Sequence, residues 1–216
     1  MALGIGARKQ SLVSLPHLIH QGWRSVCDEK GPTVKLNLGC GTKILAGYCN
    51  VDKYGEPDLR WDLEKFPWPW ENDSVDEIIL SHVLEHLGKT PDQFIEIMKE
   101  IYRISVSDAI IKIVVPHPRH DYFISDPTHV RPITPKMMSM FSKKNNVIWQ
   151  EIGCSNSTLA LYHDVDFEMI SNSISLDEPF NTLWREGKIT SEKITEMVTT
   201  LNNIATEIHI TLKAKK

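Results

Sequence analysis

Short buried strands alternate with polar connections along this chain, and amphipathic helices appear between and after them. Val34 to Leu38, Tyr48 to Asp52, a short segment near Leu59 to Trp61, and Asp76 to Ser81 each read as a strand closed by turn residues. Ala109 to Val115 is a continuous apolar, β-branched run apart from Lys112, as expected of a central parallel strand covered on both faces, and Pro116 stops it. Phe167 to Ile174 and the alternating Glu207 to Leu212 bring the strands to about seven. Between the fourth and fifth lies the clearest helix, Pro91 to Ile104. Thr90 and Gln93 have capping-box spacing, Pro91 takes the first helical position, and Phe94, Ile97, Met98, Ile101 and Ile104 form one apolar face. A second helix is expected from Thr134-Pro135 to Ser142, its methionines packed on the sheet, and a third from Ser191 to Ile204. One connection resists this scheme: Thr42 to Gly47 leaves one or two turns where a parallel crossover with a helix normally takes about 10 to 12 residues. Either the first helix is reduced to a turn or the second strand is misplaced.

With 216 residues, 41% of them hydrophobic, the chain can bury a sizeable core as one α/β domain. Gly31-Pro32 separates an arm, residues 1–32, from a domain at 33–216. The arm has no acid before residue 28 and places Leu12, Leu15, Ile19, Trp23 and Val26 at near-helical spacing, which suggests a lid helix in preference to a transit peptide. A net charge of −4 argues against a surface built to neutralise nucleic-acid phosphates. No run is long and apolar enough to span a bilayer, so no membrane partner is expected. The four cysteines form no C-x-x-C pair and suggest neither a zinc site nor a disulfide framework, which favours a reducing, cytoplasmic setting.

The chemistry begins at Gly39-Cys40-Gly41, where the first strand ends, and at Asp52, where the second ends. Glycines at a strand's carboxyl end let backbone approach a ligand closely, and an acid ending the next strand can accept bonds from both hydroxyls of a ribose. Trp61-Asp62-Leu63 and the run Val75 to Leu87, VDEIILSHVLEHL, follow at the spacing of successive strand ends. A dinucleotide site is disfavoured, since the third glycine of G-x-G-x-x-G is replaced by Ile44 and the acid lies thirteen positions after Gly39 rather than about 20. Blander readings stand beside these. Asp52 can cap a loop, Asp62 can be a turn residue, and Trp68 and Trp70, interleaved with Pro67 and Pro69, read first as core anchors.

Taken together, LNLGCG, the acid of NVD, Asp62-Leu63 and SHVLEHL resemble the successive motifs of the class I S-adenosylmethionine-dependent methyltransferases in their small single-domain form. The resemblance covers residues 33 to 116, and the rest only by element order. It implies a Rossmann-like α/β fold with a seven-stranded, mostly parallel sheet, helices on both faces and one antiparallel strand near the C-terminus. It also implies the cofactor, S-adenosylmethionine. Asn37, Gly39, Cys40 and Gly41 would lie toward its methionine and ribose portions and Asp52 would hold the ribose hydroxyls. Asp62 would face the adenine amino group with the Leu63 backbone beside it, and Ser81 and His82 would lie along the methionyl side.

Methyl transfer from a sulfonium is an in-line displacement, so the protein must align the acceptor and, for a hydroxyl, remove its proton. Past the fifth strand, PHPRHDYFISDPTHVRP supplies His117, Arg119, His120, Asp121, Asp126, His129 and Arg131. Three readings compete: an acceptor-binding loop with a histidine base, a divalent metal site on Asp121, Asp126 and some histidines, and a structural loop. The first is preferred, with His129 and His120 as leading bases beside Asp126, and with His117, Arg119 and Arg131 on the substrate. Without H-x-x-x-H or paired-carboxylate spacing no metal ligand is assigned. His82, Glu85 and His86 share one face of a helical turn, and the resemblance gives Glu85 and His86 the role of shaping the cofactor pocket. Asp126-Pro127-Thr128-His129 lacks the aromatic ring that would stack on a flipped base, so a small-molecule, sugar or glycan acceptor is expected in place of DNA or RNA. Outside this class, an inactive scaffold subunit or a nicotinamide oxidoreductase stands as the alternative, and a homodimer as an expected assembly.

Overall fold

The structure is a computed structural model and describes residues 34–216. The expected lid helix lies outside the described residues. Seven strands form one sheet: β1 (Lys35–Leu38), β2 (Cys49–Asp52), β3 (Leu59–Arg60), β4 (Val75–Ser81), β5 (Ser105–Pro116), β6 (Phe167–Leu176) and β7 (Ala205–Ala214). Their order is β3-β2-β1-β4-β5-β7-β6. All pairings from β3 to β5 are parallel, while β7 runs antiparallel to both β5 and β6. This is the mostly parallel sheet with one reversed strand near the C-terminus that the family resemblance implies. Among the described residues, no helix is long and apolar enough to cross a membrane.

Helix α1 (Pro91–Ile104) has the bounds read from its cap and stripe. Thr90 Oγ1 accepts the Gln93 N–H at 3.2 Å. Phe94, Ile97, Met98, Ile101 and Ile104 are all buried, each worth about 1.5–3 kcal/mol of transfer free energy. The same helix fastens the proline-rich connection. Glu100 accepts the Trp68 N–H, and Arg103 forks onto Glu100 while donating to the carbonyls of Trp68 and Trp70. Trp68 and Trp70 are buried, with rings edge to face at 6.1 Å, so both are core anchors.

The short helices α2 (Asp121–Ile124), α3 (Pro135–Met138), α4 (Lys143–Glu151), α5 (Leu159–His163), α6 (Phe180–Arg185) and α7 (Ser191–Thr200) complete the chain. The helix expected to run through to Ser142 is one α-turn followed by a 3₁₀ turn at Ser139–Phe141, with Met138 and Phe141 in the core. Helix α7 stops at Thr200 rather than at Ile204. Within it only Ile194 is buried and Leu201 is half exposed, while Ile204 is buried in the segment that leads into β7 rather than in a further helical turn.

The crossover from β1 to β2 contains no helix. Buried amides take its place. Asn37 Nδ2 donates to the Lys43 carbonyl at 2.8 Å and to Asn50 Oδ1 at 2.9 Å; Asn50 in turn accepts the Leu45 N–H and donates to the Leu45 and Tyr48 carbonyls and to Asp58. A loop whose backbone groups are met by side chains can be buried without a helical ladder. Of the cysteines, Cys40 and Cys154 are free thiols and Cys49 is disulfide-bonded, so the lack of any C-x-x-C pair did not preclude a cystine.

Candidate active site

The carboxyl ends of β1 to β5 open onto two adjoining cavities. The first, about 180 Å³, is lined by Gly39 after β1, Asp52 and Lys53 at the end of β2, and Trp61 to Glu64 after β3. His82, Val83, His86 and Leu87 after β4 close it. Gly39 has φ +66° and a Cβ on it would lie 2.4 Å from Val83 Cγ2. Only glycine brings the strand end this close to Val83 while taking the left-handed turn. Gly41 has φ +51° and faces open space.

Asp52 is held between two backbone donors. Its Oδ2 accepts the Gly41 N–H at 2.9 Å and its Oδ1 the Tyr54 N–H at 2.8 Å. A carboxylate has about four acceptor directions, so each oxygen keeps one for a further donor such as a ribose hydroxyl. Asp62 Oδ1 accepts the Glu64 N–H, and the Leu63 carbonyl accepts the Trp68 indole, which fixes the segment between them. Of the residues expected at a cofactor, Gly39, Asp52, Asp62, Leu63 and His82 line this cleft. Gly41 is joined to it through Asp52, Cys40 is buried beneath, and Ser81 does not line it. The Asn37 amide is engaged in the crossover loop.

The second cavity, about 280 Å³, is lined by His82, Glu85, His86, Pro116, Tyr122, Asp126, His129 and Thr206. His82 and His86 line both, so the two cavities adjoin at these side chains. His129 Nδ1 lies 2.7 Å from the Phe123 carbonyl, which can only accept. Nδ1 is therefore the donor, and in the neutral ring the lone pair is on Nε2. The ring stacks on Phe123 and tilts against His86 at 4.6 Å. Thr128 donates its hydroxyl to Asp126 Oδ1 at 2.6 Å and so can only accept from His86 Nδ1, at 2.9 Å. His86 Nδ1 is thereby also a donor, so its neutral ring is the same tautomer as that of His129. The Thr128 hydroxyl and N–H hold the Asp126 carboxyl below the ordinary carboxylate range. His82, at φ +57°, is raised above the usual imidazole range by Glu85, 3.6 Å from its Nδ1, and by Glu207, 2.9 Å from its Nε2.

The loop after β5 divides its polar residues between site and scaffold. His129 and Asp126 face the second cavity; His117, Arg119, His120 and Arg131 line neither. His120 is buried, its Nδ1 accepts the Tyr122 N–H as the cap of α2, and its Nε2 meets Asp177 at 3.1 Å. Both nitrogens are occupied. His117 Nδ1 accepts the Arg119 N–H, and burial followed by the Arg119 charge pushes its pKa down. Arg131 donates to the carbonyls of Gly88 and Thr90 and stacks over Phe94 at 4.4 Å, tying the chain after His129 to the start of α1. Spacing along the sequence could place these residues in one loop but not decide which way each side chain turns. Conversely, Trp61 and Val83 line the first cavity without having been assigned to the site, and Glu85 and His86, expected only to shape the cofactor pocket, line the second. The shared face of His82, Glu85 and His86 was the signal for the last two.

No family model and no curated protein matches the chain. Among solved structures, a S-adenosylmethionine-dependent methyltransferase from Archaeoglobus fulgidus aligns over 92% of this chain and 94% of its own, with 17% identity and a TM-score of 0.50. Fainter likenesses include the 1,6-didemethyltoxoflavin N1-methyltransferase of Burkholderia thailandensis, solved with S-adenosylhomocysteine, at 11% identity, 93% and 78% coverage and a TM-score of 0.47. The phosphoethanolamine N-methyltransferase 2 of Haemonchus contortus, in complex with S-adenosylmethionine, aligns over 93% of this chain and 53% of its own, at 10% identity and 0.47. With the strand order, the reversed seventh strand and the glycine turn in place, the chain has the class I S-adenosylmethionine-dependent methyltransferase fold.

Proposed function

We propose that the protein is an S-adenosylmethionine-dependent methyltransferase acting on a hydroxyl of a small-molecule, sugar or glycan acceptor. The observation that carries the reading is the pair of adjoining cavities at the strand ends, with the Asp52 carboxylate in one and the His129 imidazole, held through Nδ1, in the other. Asp52 would hold the ribose, Asp62 and the Leu63 backbone the adenine, and Gly39, Gly41 and His82 the remainder. Bound there, the cofactor supplies a methyl group on a sulfonium, which makes that carbon electrophilic.

The protein's own part is alignment and proton removal. His129 Nε2 is the group placed to take the acceptor's proton. Its Nδ1–H is held by the Phe123 carbonyl, and the Asp126 Oδ2, 3.8 Å away, favours the imidazolium that forms. His120, His117 and Arg131 support the loop and take no step. Incubation with methyl-labelled S-adenosylmethionine and a panel of sugars, sugar nucleotides and phenols tests the reading. Labelled O-methyl product, diminished in His129→Ala, is expected. Label appearing only on amines would refute the O-directed assignment, and no transfer to any acceptor despite cofactor binding would point to an inactive scaffold.

A further inference from the structure

Glu85 is 1% exposed, and neither carboxylate oxygen has a hydrogen-bond partner. Leaving a buried carboxylate so is costly unless something else satisfies it. His82 Nδ1 lies 3.6 Å from Oε1, an ion pair rather than a hydrogen bond. On the cavity side, one ligand atom each of Glu85, His86 and His129 lie within 4.8 Å of one another. Both histidines have Nε2 free, because His86 Nδ1 is held by Thr128 and His129 Nδ1 by the Phe123 carbonyl. Such outer contacts are what orient a metal-binding imidazole and fix its tautomer. Asp126, beside His129, adds negative charge, and Glu207 draws His82 to the other side.

We propose that Glu85, His86 and His129 bind a divalent first-row transition ion, with the open side of its coordination sphere facing the second cavity. Two imidazoles and one carboxylate suit Zn²⁺, Co²⁺ or Mn²⁺ better than Mg²⁺ or Ca²⁺, which take shells of oxygen. Closing on an ion at roughly 2.1 Å needs these three side chains to draw together by about an ångström, within reach of small χ rotations. Three protein ligands leave positions for two acceptor oxygens, so the preferred acceptor is a vicinal diol, as in a sugar, or a catechol. The proposal rests on the methyltransferase reading for its use and revises one part of it. With the cation bound, His129 is a ligand. The acceptor O–H, acidified on the ion, loses its proton to water; the oxygen lone pair forms the O–CH₃ bond as the S–CH₃ bond breaks, and the electron pair stays on sulfur as S-adenosylhomocysteine.

Chelator-treated full-length protein titrated with Co²⁺ tests this, since visible absorption of a nitrogen- and oxygen-bound Co²⁺ reports the site directly. One equivalent is expected to bind. Glu85→Gln and His129→Ala should weaken it on the order of 100-fold, and Thr128→Val, which frees the His86 tautomer, about tenfold. Circular dichroism establishes that each variant is folded. A wild-type protein that takes up no Co²⁺ at millimolar concentration, or uptake unchanged in a folded His129→Ala, overturns the proposal. S-adenosylhomocysteine affinity of the metal-free protein is measured alongside; its loss would count against the methyltransferase reading and leave the metal result standing by itself.

Discussion

Gly39→Ala offers the sharpest stability test, because Gly41→Ala, two residues on, is its internal control. Both glycines have left-handed backbone, φ +66° and +51°, so any Cβ carries a conformational cost of about 1–2 kcal/mol at either position. They differ in what the new atom meets. At Gly39 it falls 2.4 and 2.7 Å from the two Cγ atoms of Val83 and 3.1 Å from its Cβ; at Gly41 nothing lies within 4 Å. Val83 is buried and β-branched, and a χ1 rotation only exchanges one methyl for the other, so the strand end or the turn after β4 must shift. That overpacking adds about 1–3 kcal/mol. Gly39→Ala should therefore lose about 2–5 kcal/mol and Gly41→Ala about 1–2, read as urea midpoints at unchanged slope. Val83→Ala in the Gly39→Ala background should restore part of the difference. If the two single variants fall within about 0.5 kcal/mol of each other, the packing argument for the first glycine is wrong. The same pair bears on function: Gly41→Ala puts a methyl into open space beside Asp52, and should weaken S-adenosylhomocysteine binding more than it weakens the fold.

Three other substitutions separate scaffold from site. Arg131→Ala removes two carbonyl contacts and the stack on Phe94, and should cost about 1–3 kcal/mol in thermal or urea unfolding while leaving cofactor affinity alone. A selective loss of acceptor affinity at unchanged stability would return Arg131 to the substrate. Burial alone would raise the Glu77 carboxyl, but Lys112 at 2.5 Å, Tyr48 and Lys35 at 3.2 Å lower it overall. A depressed folded pKa adds stability above the unfolded value near 4.5 that is lost as pH falls through the folded one, so Glu77→Gln should flatten the acid limb of the stability profile. An acid limb identical to wild type would show that this pair contributes nothing. Burial and then Glu77 push the Tyr48 phenol up to about 12, so Tyr48→Phe should leave the ultraviolet phenolate titration below that value unchanged.

Where a segment's own residues satisfied its backbone, the sequence was enough to locate it. The Pro91–Ile104 helix announces both ends through its cap and its proline, and Ala109–Val115 lies in a strand as its β-branched run implies, although only the face of Ala109, Ile111, Ile113 and Val115 is fully buried and Lys112 is exposed on the other. The β1–β2 crossover was opaque for the opposite reason. Its backbone is satisfied by Asn37 and Asn50, residues that look like ordinary polar positions until the fold brings them together. Helix α4 has little apolar periodicity and Asn146 is its buried residue, engaged with the Met140 carbonyl and the Ala160 N–H, so no stripe marked it. In the site, strand-end positions were legible because topology alone sets where Gly39, Asp52, Asp62 and His82 emerge. Loop residues were not. His120 and His129 have the same chemistry nine positions apart, and only the tertiary contacts make one a helix cap and leave the other with a free nitrogen facing the cavity.

The most direct measurement is calorimetric titration of the full-length protein with S-adenosylmethionine and S-adenosylhomocysteine, with NAD as control and Asp52→Ala as the site variant. Micromolar binding of the first two is expected, about −8 kcal/mol, with NAD inert. Asp52→Ala should lose at least tenfold in affinity, about 1.4 kcal/mol, while staying folded. Absence of binding to both sulfur nucleosides, binding of NAD instead, or affinity indifferent to Asp52 would contradict the cofactor assignment.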